Sequence, residues 1–142
     1  MSSKIEFSGD CLMHNLRGAA RGITRRYEAA LRPVGLTGGQ FSVLAALSES
    51  GGTSLGRLAD ALAMDRTTLT RNLRPLEARG LVTTRTRGTD ARIRGLELTE
   101  AGRDLFARAI PCWEQAQADS LARLPAGAWP ALRAAIRGLG AP

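Results

Sequence analysis

Lysine is almost absent from this chain. Lys4 stands alone, and the rest of the basic side chains are arginine. Histidine occurs once, at position 14, and aromatic residues make up 4% of the 142. Each shortage excludes something. A single His, no Gly-rich phosphate loop and no carboxylate pair in apolar surroundings leave no constellation for an enzyme and no cofactor motif. The few aromatics leave the core to Leu, Ala, Val and Ile. Tyr27, Trp113 and Trp129 also lie outside the basic segment, so stacking platforms for single-stranded nucleic acid are missing from it. The only cysteines, Cys11 and Cys112, form neither a zinc motif nor a disulfide framework. Reduced thiols and a cytoplasmic location are the expectation. No run approaches the ~18 apolar residues of a spanning helix, so no membrane partner is expected.

What the chain does have is positive charge in one place. The net charge is +7. Between Arg66 and Arg94 stand eight arginines, at 66, 71, 74, 79, 85, 87, 92 and 94, against two acids, Glu77 and Asp90. Most of the excess thus falls on one short unit, the footprint of a surface that meets phosphates.

Punctuation and periodicity organise the chain as mainly α with one small β-hairpin. Residues 1–9 read as a loose arm. A long helix spans about 10–32, with Leu12, Leu16, Ala19, Ala20, Ile23, Tyr27 and Leu31 at helical spacing, ended by Pro33 and Gly35. Thr37-Gly-Gly-Gln40 fits a capping box for a second helix, which Gly51-Gly52 stops. A third helix begins near Ser54, and Met64-Asp65 makes a tight turn. Asp65 caps a fourth helix, about 66–79, terminated by Gly80. Strands at about 81–87 and 93–98 flank the tip Gly88–Ala91. Thr99 caps a helix over about 100–122, and after Pro125 and Gly127 a last amphipathic helix carries Trp129, Leu132, Ile136 and Leu139.

At 100° per residue, Leu69, Leu73 and Leu76 share one side of the fourth helix. Thr67, Thr70, Arg71, Arg74 and Ala78 fall on the other. Arg bridges O6 and N7 of guanine, and the Thr methyl meets that of thymine. Pro75 removes one hydrogen bond, to the Arg71 carbonyl, and should bend the helix. Helix, tight turn, helix and basic hairpin form a winged helix-turn-helix, whose second helix enters the major groove while the hairpin reaches the minor groove.

The segments Leu36-Thr-x-x-Gln40-Phe41, Leu58-Ala-x-x-Leu62, Asp65-Arg-Thr-Thr-Leu-Thr-Arg-Asn-Leu-Arg-Pro-Leu-Glu-x-x-Gly80-Leu-Val and Asp90-x-Arg92 leading to Leu98-Thr99-x-x-Gly102 resemble the MarR (multiple antibiotic resistance regulator) family over about residues 10–140. The resemblance implies an obligate homodimer, with residues 10–35 and 100–140 as dimerisation helices and 36–99 as the DNA-binding winged helix. It assigns Thr67, Thr68, Thr70, Arg71 and Arg74 to the recognition helix, which opens on Arg66. Arg92 becomes the wing-tip arginine, and Asp90 holds the wing in shape. The implied function is a repressor, released by a signal from a pseudo-palindromic operator in double-stranded DNA.

Three signals fit the residues. The family often binds small aromatic or phenolic acids between its dimer region and winged helix, and His14, Arg17, Arg21 and Arg25 share a polar face of the first helix. A peroxide-sensing branch carries a reactive Cys whose matching position here is Met13. Cys11 lies two residues earlier, and Cys112 occupies the long C-terminal helix where some members hold a second Cys. Cys11 and His14, three apart, could also share a soft metal ion, although two ligands are too few. The competing function is a winged helix that docks protein or RNA without operator specificity.

Overall fold

The computed structural model describes residues 7–86 and 94–140. Its elements run α1 (Phe7–Asp10), α2 (Leu12–Leu31), a 3-10 turn (Arg32–Val34), α3 (Gly38–Ser50), α4 (Leu55–Ala61), α5 (Arg66–Ala78), β1 (Val82–Thr86), β2 (Arg94–Leu98), α6 (Glu100–Leu121) and α7 (Trp129–Gly140). The chain is mostly helical with one antiparallel hairpin, registered by Val82 opposite Leu98 and Thr86 opposite Arg94. The order α4, turn, α5, hairpin is that of a winged helix-turn-helix.

Local chemistry explains most boundaries. Thr37 and Gln40 close a reciprocal capping box on α3, with Thr37 N–H donating to Gln40 Oε1 at 3.0 Å and Gln40 N–H to Thr37 Oγ1 at 3.2 Å. Ser54, Asp65 and Thr99 cap α4, α5 and α6. The first helix departs from expectation. It begins at Leu12, because Cys11 adopts an extended conformation (φ −75°, ψ 107°). The break is bridged by the Asn15 side-chain amide, which donates to the carbonyls of Gly9 and Cys11 at 3.1 and 3.0 Å. Residues 7–9, expected as loose arm, belong to α1.

The core is one cluster. Leu31 of α2, Leu44 and Leu47 of α3, Leu58 of α4, Leu69, Leu73 and Leu76 of α5, Val82, Leu96 and Leu98 of the hairpin, and Leu105 and Ala109 of α6 all meet in it. Phe41 anchors α3 to α6, its ring centroid 5.5 Å from Phe106 and 6.0 Å from Trp113, nearly parallel to the latter. Two prolines sit inside helices. Pro75 lies on the outward side of α5, which runs on to a fully buried Leu76. Pro111 lies exposed within the 22 residues of α6. A proline on the solvent side removes one hydrogen bond, and here the buried face on either side keeps each helix going.

Gly102 explains the Leu98-Thr99-x-x-Gly102 pattern. A Cβ at that position would come 2.0 Å from the Leu81 carbonyl oxygen. That same carbonyl accepts from Thr99 N–H at 3.1 Å, while Thr99 Oγ1 donates to the Gly80 carbonyl at 2.6 Å. Only a bare Cα lets the start of α6 lie against the chain leaving α5. Thr53 adds a short third edge to the hairpin, exchanging two hydrogen bonds with Leu96 at 3.1 and 2.7 Å. Gly51-Gly52 therefore does more than stop α3, since it also steers Thr53 onto β2.

Candidate nucleic-acid interface

α5 is positioned from three sides. Leu69, Leu73 and Leu76 hold it down, with relative exposures of 0, 4 and 0%. The Asn72 side chain packs it on α3, where Gly39 leaves the necessary room: a Cβ there would stand 2.5 Å from Asn72 Oδ1. The turn from α4 passes through Ala63, a non-glycine residue in the left-handed region at φ 48°. Met64 N–H closes that turn on the Ala59 carbonyl at 3.0 Å.

At the N-terminus of α5 the Asp65 carboxylate accepts from Thr68 N–H at 2.7 Å and from Thr68 Oγ1 at 2.9 Å. These bonds to the Thr68 backbone, then to its hydroxyl, hold the fully exposed Asp65 carboxyl below the ordinary aspartate range. Thr68 is thereby half-buried and committed to the cap, although the family pattern counts it with the recognition positions. Thr70 is half-buried too, its hydroxyl donating to the Arg66 carbonyl at 2.7 Å.

Arg66, Thr67, Arg71 and Arg74 are exposed, as is Pro75. Together with Thr70 they border one open groove of about 680 Å³. Five of the expected recognition residues therefore share one outward surface, and the sixth, Thr68, lies in the cap. Asp90 and Arg92 lie outside the described residues. On the stem of the hairpin the exposed Arg85 approaches Glu97 across the strands at 3.8 Å. With Arg85 in solvent and Glu97 half-buried, a contact this long contributes little to stability, ~0–1 kcal/mol.

The other candidates are placed apart from this surface. His14 is half-buried, and Arg17 and Arg21 are exposed on α2. Cys11 is the N-cap of α2, while Cys112 packs against the core from α6; both are free thiols. Among the described residues no group of three or more His, Cys, Asp or Glu is arranged to hold a metal ion, and no helix is long and apolar enough to cross a membrane.

Sequence reasoning missed the polar ties between α2 and α6. Tyr27 Oη donates to Gln117 Oε1, and Arg26 donates to Ser120 Oγ at 3.2 Å. Burial raises the Tyr27 phenol above its ordinary value, partly offset by the Arg26 charge. Tyr27 was legible only as one more residue of the apolar stripe, because nothing local marks a partner 90 residues away.

Comparisons with known proteins agree with this geometry. Residues 34–93 match the MarR family model. The HTH-type transcriptional repressor NicR of Pseudomonas putida is 35% identical over 114 residues, covering 80% of this chain and 72% of that protein. The transcriptional regulator MosR of M. tuberculosis, solved in complex with DNA, superposes with a TM-score of 0.80 at 41% identity, covering 92% of this chain and 94% of that one. BpsR of Bordetella bronchiseptica, solved in a study of how 6-hydroxynicotinic acid regulates its DNA binding, gives a TM-score of 0.87 at 28% identity over 96% of each chain. By sequence and by fold, this chain belongs to the MarR family of transcriptional regulators, a family of regulators and not of enzymes.

Proposed function

We propose that this chain is a cytoplasmic, homodimeric repressor that binds a pseudo-palindromic operator in double-stranded DNA and leaves it when a small aromatic acid binds. The observation that carries the DNA reading is the outward face of α5. Arg66, Thr67, Arg71 and Arg74 stand clear on a helix whose opposite side is buried. Arg71 and Arg74 are the base readers, and Arg92 reaches the minor groove from the wing. The aromatic rings of Phe41, Phe106 and Trp113 are gathered at the α3–α6 contact and not on this face, which favours duplex DNA over single-stranded RNA.

The dimer reading rests on apolar side chains left uncovered on α2 and α7. Leu12, Leu16 and Ile23 on α2, and Leu132, Ile136 and Leu139 on α7, are 36–57% exposed. A two-fold partner would cover both stripes at once, making α2, α6 and α7 the dimerisation region and residues 36–99 the reading head. The ligand reading is supported by the link between BpsR and 6-hydroxynicotinic acid, and by the exposed Arg17 and Arg21, which can fork a carboxylate.

The test is to select a duplex from a random library and measure its affinity against salt. A repressor of this kind selects inverted half-sites about 10 bp apart, centre to centre, with a steep loss of affinity as salt rises. Adding hydroxylated aromatic acids should release the duplex. Failure to enrich any sequence would favour a winged helix that docks protein instead.

A further inference from the structure

A second basic site lies away from the outward face of α5. Where α2 ends against α3, an open cleft of about 400 Å³ is lined by Glu28, Arg32, Gly35, Thr37, Gln40 and Arg79. Arg79, at the C-terminal end of α5, donates through Nη1 to the Gly35 carbonyl at 2.8 Å. That bond fixes the guanidinium at the cleft and leaves its other N–H groups as donors. Arg32 is exposed at the C-terminal cap of α2. Among the described residues the ion pair that forms is Arg85–Glu97, so neither Arg32 nor Arg79 has a described carboxylate within 4.0 Å.

The polar side chains beside them offer donors as well. The capping box consumes acceptor atoms: Gln40 Oε1 takes Thr37 N–H, and Thr37 Oγ1 takes Gln40 N–H. The Gln40 amide N–H groups and the Thr37 hydroxyl proton are left over. The lining therefore holds two guanidiniums and two neutral donors against the single carboxylate of Glu28. One guanidinium fixed by Gly35 and a second, exposed one beside it, both with spare donors, suit a compact oxyanion.

We infer that this cleft is a binding site for a compact oxyanion, of the phosphate or carboxylate type, held between Arg32 and Arg79. Two sources supply that chemistry: a backbone phosphate of bound DNA, or a free small anion. Because Arg79 also grips Gly35, an anion seated here bears on the joint between α5 and the end of α2. The DNA source rests on the function proposed above, and the free anion does not.

The test uses the full-length protein with inorganic phosphate, in buffers matched in ionic strength with chloride. At ten times its dissociation constant, phosphate should raise the Tm by ~3–5 °C. Arg32→Ala should lose most of that rise while keeping its Tm in chloride, since Arg32 is exposed. Arg79→Lys keeps the charge but not the fork, and should lose the rise too. In a second arm, wild type and Arg32→Ala bind the library-selected duplex from about 50 to 200 mM salt. If a DNA phosphate fills the cleft, Arg32→Ala lowers the slope of log K against log salt by ~0.9 for each phosphate it no longer neutralises. If a free anion fills it, the slope holds and only the phosphate-dependent Tm rise disappears. Equal phosphate responses together with equal slopes overturn the site. Wild-type binding to the duplex in that case leaves the repressor reading standing, so the two fail separately.

Discussion

The winged helix and the two helices α2 and α7 are built from similar side chains and end in opposite states. Within residues 36–98, Leu44, Leu47, Leu58, Leu69 and Leu76 have at most 1% of their surface exposed. On α2 only Leu31 is buried, and on α7 nothing is. Leu12 and Leu139 are 57% and 55% exposed. The same apolar periodicity thus closes a core in one region and stands bare in the other. An apolar stripe that the chain itself leaves bare is what the proposed homodimer would cover, and in that dimer a second copy would supply the hydrophobic gain at α7.

The largest expected effect tests that difference directly. Leu132→Asp with Ile136→Asp places two carboxylates on the bare face of α7. It should weaken association by ~3 kcal/mol or more, because ionised groups would enter an apolar seam. Sedimentation should show monomers, and operator binding should vanish at concentrations that saturate the wild type. An unchanged dimer would return α7 to the status of an ordinary solvated helix. Next comes Gly102→Ala, which probes the closed region. Its Cβ would meet the Leu81 carbonyl at 2.0 Å, and chemical denaturation should show a loss of ~1–3 kcal/mol, the usual cost of overpacking.

Arg71→Ala should leave thermal stability unchanged, since the side chain is exposed. It should cost ~1–3 kcal/mol in operator affinity and relax one base preference. A uniform loss across all sequences would make Arg71 a phosphate contact. The smallest effect concerns pH. Asp65 has a folded-state pKa below its unfolded value of about 3.9. Its contribution to stability is therefore present above that value and is lost as pH falls through the folded pKa. Asp65→Asn keeps a good cap but has no carboxylate to protonate. Its Tm should lie slightly below wild type at neutral pH, and the gap should close as pH falls below ~4, where the wild-type carboxylate protonates, as followed by circular dichroism.

Local rules made most of the fold legible. Thr37-Gly-Gly-Gln40, Asp65 and Thr99 predict their caps because each satisfies backbone donors within three residues. The outward Thr and Arg face of α5 follows from helical periodicity alone. The break at Cys11 was not legible, because it depends on an Asn15 side chain that reaches back to Gly9. The turn between α4 and α5 was read at Met64-Asp65, but its left-handed residue is Ala63, and alanine carries no signal for a positive φ. Thr68 looked like its neighbours until Asp65 claimed its hydroxyl.

Sequence alone determined the order of the elements from α2 onward, the caps and the side of α5 that faces outward, since each depends on neighbours a few residues apart. Tertiary structure decided where small residues are needed. Gly102 is required by the backbone of Leu81, and Gly39 makes room for the Asn72 side chain. It also decided that Arg79 would meet Gly35, 44 positions away, and that Tyr27 would meet Gln117. These pairings come from packing the helices around one core, and a contact between distant segments has no period or spacing through which a linear chain can announce it.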